Sequence, residues 1–101
     1  LISAAAVAGM FLGHKVGATF DKIDHMYLNM IFQQSMNQRG NMKSVTWKHP
    51  QKNYVINSLA VNNNGNCRVF VTSVQSGRGL KQVKGTACLD DKNEWIVKEI
   101  Y

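Results

Sequence analysis

The stretch Cys67-Arg68-Val69-Phe70-Val71-Thr72-Ser73-Val74-Gln75-Ser76-Gly77-Arg78-Gly79-Leu80-Lys81-Gln82-Val83-Lys84-Gly85-Thr86-Ala87-Cys88 decides the fold. Two runs rich in β-branched residues flank Gly77-Arg78, and a two-residue loop with glycine first is the chemistry of a type II′ hairpin turn. That turn sets Ser76 opposite Gly79. Counting outward from this pair, one residue on each strand at a time, brings Cys67 opposite Cys88. Turn chemistry and cysteine positions are read separately, yet they select one register. The same count puts the two cysteines at a non-hydrogen-bonded pair, where opposed Cα atoms are closest, within reach of a disulfide. It also sets the Phe70 ring across from Gly85. Two states fit the pair: free buried thiols in a reducing compartment, or a disulfide in an oxidising one. The coincidence of register favours the disulfide.

Outward from this hairpin, further strands are expected. Ser44-Val45-Thr46-Trp47-Lys48 alternates and is closed by His49-Pro50, residues 53–59 form a weaker strand candidate, and Trp95 to Ile100 is the last strand. Asn62-Asn63-Asn64-Gly65-Asn66 and Asp90-Asp91-Lys92-Asn93 read as turns. Upstream the period changes. From Asp21 to Gln38, Phe20, Ile23, Tyr27, Met30 and Gln34 recur at three- and four-residue steps, widened by Met26 and Ile31, which predicts an amphipathic helix with this stripe inward. Asp21 and Asp24 suit its positive end, Arg39 its negative end, and Gly40 the residue just beyond it. The methionines Met26, Met30 and Met36 are expected in the core, with an adaptable binding surface as the alternative. The fold class is α+β: an N-terminal helix packed on an antiparallel meander of four to five strands, with helix 21–38, sheet 44–100 and one cross-strand disulfide.

The first twenty residues differ in kind. Ala5, Gly9, Gly13 and Gly17 recur every fourth position, which on a helix leaves a groove free of side chains for close approach by another backbone. Residues 1–20 are therefore read as a glycine-zipper segment, with a flexible glycine-containing tail as the alternative, and 21–101 as a single domain. With no proline between them, one unbroken helix through both is expected. The apolar run ends at His14-Lys15, short of the roughly 18 to 20 residues a spanning helix needs. Because the chain starts at Leu1, an upstream signal or anchor is expected.

The chain has 101 residues and a formal net charge of +6. Between Met26 and Leu89 every charged side chain is positive. Lys48, Lys52, Arg68, Arg78, Lys81 and Lys84 are the candidate contacts to an anionic partner such as lipid, a glycan or an acidic protein. In the hairpin register Arg68 and Lys81 share one face of the sheet and Lys84 takes the other, so no single groove for nucleic acid is indicated. No set of residues proposes a nucleophile with its base, a pair of working carboxylates or a metal site. The acids lie at the chain ends, and His14, His25 and His49 share no ligand spacing. The expectation is a protein with no catalytic residues and no cofactor.

These residues resemble a known family. Gly9, Gly13 and Gly17, then Asp21 and Asp24, Trp47 and Pro50, are similar to the 17 kDa surface antigen family of bacterial outer-membrane lipoproteins. Cys67-Arg68-Val69-Phe70 resembles that family's Cys-Arg-Glu-Tyr, and Gly85-Thr86-Ala87-Cys88 its Gly-Thr-Ala-Cys, with Trp95 following. The resemblance implies an envelope protein, periplasmic or surface-exposed, with a lipidated cysteine upstream of Leu1. It also implies a zipper segment at or in a membrane, and the small-residue spacing itself suggests association with other helices, as a homo-oligomer or a member of a complex. The alternatives are a subunit of a larger secretion assembly, or an inhibitor or ligand-binding module for an acidic enzyme or glycan.

Overall fold

A computed structural model describes residues 21–38, 43–64, 66–77 and 79–101. The zipper positions Ala5, Gly9, Gly13 and Gly17, together with Arg39, Gly40 and Arg78, lie outside the described residues. The fold is α+β. Helix α1 (Lys22–Met36) is followed by strands β1 (Lys43–Lys48), β2 (Tyr54–Asn64), β3 (Cys67–Ser76), β4 (Gly79–Leu89) and β5 (Trp95–Ile100). They form one antiparallel sheet in the order β1-β2-β3-β4-β5. The helix lies across one face of β1 to β3.

The central hairpin has the register that its turn and cysteines demand: Ser76 opposite Gly79, Phe70 opposite Gly85, Cys67 opposite Cys88. Strand β2 is longer than its sequence suggests. It runs through Asn62 and Asn63 to Asn64, which pairs with Cys67, and the register shifts between Val61 and Asn64. The asparagine run is therefore mostly strand: Asn64 pairs with Cys67 on β3, and Asn62 and Asn63 fall in the register shift before it. The turn at 90–93 is as expected. The Asp90 carboxylate accepts from the N–H groups of Lys92 (2.9 Å) and Glu94 (2.8 Å), and Asn93 takes the left-handed conformation (φ 63°).

Helix α1 starts at a hard boundary. Asp21 is extended (ψ −177°), its side chain accepts from the Asp24 N–H (2.8 Å), and the Asp24 carboxylate accepts from the Asp21 N–H (3.2 Å). This reciprocal capping box breaks the helix at Asp21, so the unbroken helix expected from the missing proline is not formed there.

The helix is also rotated from its expected orientation. Its buried face is Asp24, Leu28, Ile31, Phe32, Ser35 and Met36, whereas Ile23 (60% exposed), Met26 (57%) and Met30 face outward. The shift is about one residue, roughly 100° around the axis. Leu28 and Phe32 drive it: both are wholly buried, and Phe32 meets Phe70 edge to face at 5.0 Å. Ile56, Ala60, Val74, Val83, Ala87 and Trp95 complete the core.

Three hydroxyls inside this layer are paired. Ser35 donates to the Phe32 carbonyl (2.7 Å), and hydroxyl contacts of 2.8 Å run from Ser35 to Ser58 and from Ser58 to Thr72, linking helix to sheet through three side chains with no exposure. The Gln33 amide acts as a piece of strand, donating to the Trp95 carbonyl (2.8 Å) and accepting from its N–H (2.9 Å).

Candidate functional site

Cys67 and Cys88 are bonded, with Cα atoms 4.0 Å apart across adjacent strands. The pair sits on the sheet face turned away from the helix, with Ile96 opposite Cys88. Both cysteines are half-buried.

A second cluster forms where the start of α1 meets the connection between β1 and β2. Lys52 Nζ reaches Asp21 Oδ2 (3.0 Å) and the buried Asp24 Oδ2. His49 Nδ1 accepts from the N–H groups of Gln51 and Lys52 (both 2.9 Å), so its ring proton belongs on Nε2, which lies 3.3 Å from Asp24 Oδ1. Aromatic rings wall the cluster: Tyr27 stacks on Trp47 (4.5 Å), and His49 lies 5.3 Å from Trp47 and 5.0 Å from Tyr54. Trp47 and Tyr54 are thus spent on packing rather than displayed.

The electrostatics follow from these contacts. Burial works against the charge on Asp24, but hydrogen bonds from Lys52, the Tyr54 hydroxyl and the Asp21 backbone, with the charge of Lys52, lower its carboxyl from 3.8 to about 2. Asp21 is also lowered, chiefly by the Asp24 N–H and then by Lys52, and Lys52 is raised by the two carboxylates. Burial, then Asp24, raises the Tyr54 phenol. A carboxyl whose folded pKa lies below its unfolded value stabilises the fold above pH 3.8, and this contribution is lost as the pH falls towards 2. The expected result is a loss of about 2 kcal/mol across that window from Asp24. Urea unfolding at stepped pH should show the acid dependence shrinking by that amount in Asp24→Asn; an unchanged profile would contradict the assignment.

The cluster ties the start of α1 to the connection between β1 and β2. Both nitrogens of His49 are occupied by groups of the fold, which leaves neither to take a proton from a nucleophile. Among the described residues no three His, Cys, Asp or Glu side chains group as metal ligands, and no helix is long and apolar enough to cross a membrane.

The basic residues separate into two kinds. Lys48, Lys81 and Lys84 are exposed. Lys52 is held by Asp21 and Asp24. Arg68 departs from expectation. It is 5% exposed, and its Nη1 donates to the carbonyls of Met36 (2.8 Å) and Gln38 (2.6 Å) at the end of α1. It faces the helix from β3, so its charge serves the negative helix end and not an external anion. The expectation of sheet-face sorting holds: Arg68 and Lys81 oppose Ala87 and Val74 on the helix side, and Lys84 opposes Val71 on the other.

Sequence reasoning missed the outward stripe Ile23-Met26-Met30, which the three- and four-residue spacing had assigned to the core, and the partners of Asp24. The signal for the first was Leu28-Ile31-Phe32, a stronger apolar triad one residue further round the helix. Nothing local in the sequence announces the second. Comparison of the chain with protein-family models, with curated proteins and with solved structures finds no match.

Proposed function

We propose that this chain is a non-catalytic cell-envelope protein of the kind the 17 kDa surface antigen resemblance implies. The segment carrying Ala5, Gly9, Gly13 and Gly17 associates with membrane or with other helices, and the domain from Asp21 onward projects from it. The observation that carries this reading is the Cys67–Cys88 bond, since such bonds persist in the periplasm, on the cell surface and outside cells but are rare in a reducing cytosol. Thiol trapping in intact cells tests it: both cysteines should resist alkylation until reductant is added, and free thiols in freshly lysed cells would overturn it.

Repeated small residues permit close helix contact only where a partner helix exists. Gly13→Leu should therefore abolish oligomers in mild detergent, as measured by light scattering; an unchanged mass would remove self-association from the proposal. A second reading, membership of a larger envelope assembly, draws support from the exposed stripe of Ile23, Met26 and Met30 on α1. Cross-linked envelopes separate the two, because a self-assembling protein recovers mainly itself.

A further inference from the structure

The outer side of α1 lacks charge. Between Ile23 and Asn37 the exposed positions are Ile23, Met26, Met30, Gln34 and Asn37, and the one carboxylate in that span, Asp24, is buried. A surface helix ordinarily spends its outer face on charged side chains. Here Ile23, Met26, Met30 and Gln34 follow one another at steps of three, four and four residues, which aligns them as a ridge along the helix. The nearest cation on the helix, Lys22, projects roughly a quarter turn to one side. The ridge is open: Ile23 is 60% exposed and Met26 57%.

The chain before Asp21 carries a surface that matches it. Ala5, Gly9, Gly13 and Gly17 recur every fourth residue, and Lys15, off that row, is the only side chain of the first twenty residues with a formal charge. The capping box starts α1 at Asp21, and Gly17 suits the end of a preceding helix. The three residues between them have the length that joins two antiparallel helices. Counting outward from this connection, one residue on each helix at a time, brings Gly13 opposite Met26, Gly9 opposite Met30 and Ala5 opposite Gln34, with Gly17 beside Ile23. Connection length and ridge spacing are independent of each other, yet together they set small residues against large ones. The ridge would then fill a groove of glycines, which lets two helix backbones approach closely.

We infer that residues 1–17 fold back along α1 as the first helix of a hairpin, their small face covering Ile23, Met26 and Met30. A segment tethered this closely meets the ridge at an effective concentration in the millimolar range, which a second copy or a separate protein does not match. The pairing goes beyond the envelope reading by naming the helix that the glycine face meets. It leaves the opposite side of the segment, with Val7 and Phe11, for membrane or other copies.

The test uses the full chain in mild detergent, with pairs of cysteines introduced and a short bismaleimide that joins free thiols and spares the Cys67–Cys88 bond. Gly13→Cys with Met26→Cys should join within one chain, as read by intact mass and peptide mapping. Gly13→Cys with Gln34→Cys, about two turns out of register, should join far less. Met26 and Gln34 are exposed, so both variants should melt as the parent does. Hydrogen peroxide reads the same contact without new cysteines: Met26 and Met30 should oxidise several-fold faster in Gly13→Leu than in the parent, because a leucine there forces the helices apart. Joining between two chains, joining at neither pair or equal joining at both overturns the hairpin. So does parent-like oxidation of Met26 in Gly13→Leu, even where that variant loses its oligomers, because the glycine face would then lie on some other helix. Free native thiols in cells refute the envelope reading and leave the hairpin standing.

Discussion

Reduction of the Cys67–Cys88 bond is expected to lower the melting temperature by roughly 10–20 °C. The bond closes a loop spanning 21 residues, and restricting the unfolded chain over that length stabilises a fold by about 3 kcal/mol. In a domain this small each kcal/mol moves the transition by about 4–8 °C. The native hairpin is already aligned by its ladder and turn, so the effect acts mainly on the unfolded chain, and Cys67→Ser combined with Cys88→Ser should match reduction. Calorimetry with and without reductant measures it. Coincident transitions would mean that the unfolded chain holds the hairpin without its bond, and the stabilising role assigned to the disulfide would be wrong.

Gly85→Ala is expected to be the most damaging single-methyl change in the sheet, costing about 3 kcal/mol or more. A Cβ at Gly85 would collide with the backbone carbonyl oxygen of Glu99 on β5 and stand 3.1 Å from Phe70 Cζ on β3. The ring can shift a little. The carbonyl cannot, because it belongs to the strand that pairs with β4 through Gly85–Ile100 and Thr86–Glu99, where the register also shifts. Urea denaturation should show the loss, and adding Phe70→Leu should recover little of it. Full recovery in that double variant would identify the ring, not the β5 backbone, as the obstacle.

This position shows how far the residues could be read. The hairpin register predicts that Phe70 faces Gly85, and it does. The reason glycine is needed lies on a different strand, at an irregularity in pairing that no period-two pattern announces. The candidate site divides in the same way. The sequence supplies the cysteine pair, the capping aspartates and the basic run. It does not show that Lys52 closes on Asp21 and Asp24, or that Arg68 turns inward on the end of α1. Sequence separations of 28 to 32 residues lie between those partners, and local spacing carries no information across them.

By itself the sequence determined the class, the strands and the central register, because turn chemistry and alternation act between neighbours and a pair of cysteines admits few alignments. The tertiary structure decided which side of the helix is buried and which cations are spent internally. Asp24 and Ser35 look like surface residues until Lys52 and His49 from the β1–β2 connection meet the first and Ser58 from β2 meets the second. Once those distant partners are supplied, burying polar groups costs little, and the helix turns to bring Leu28 and Phe32 inward while Ile23 and Met26 face away from the sheet.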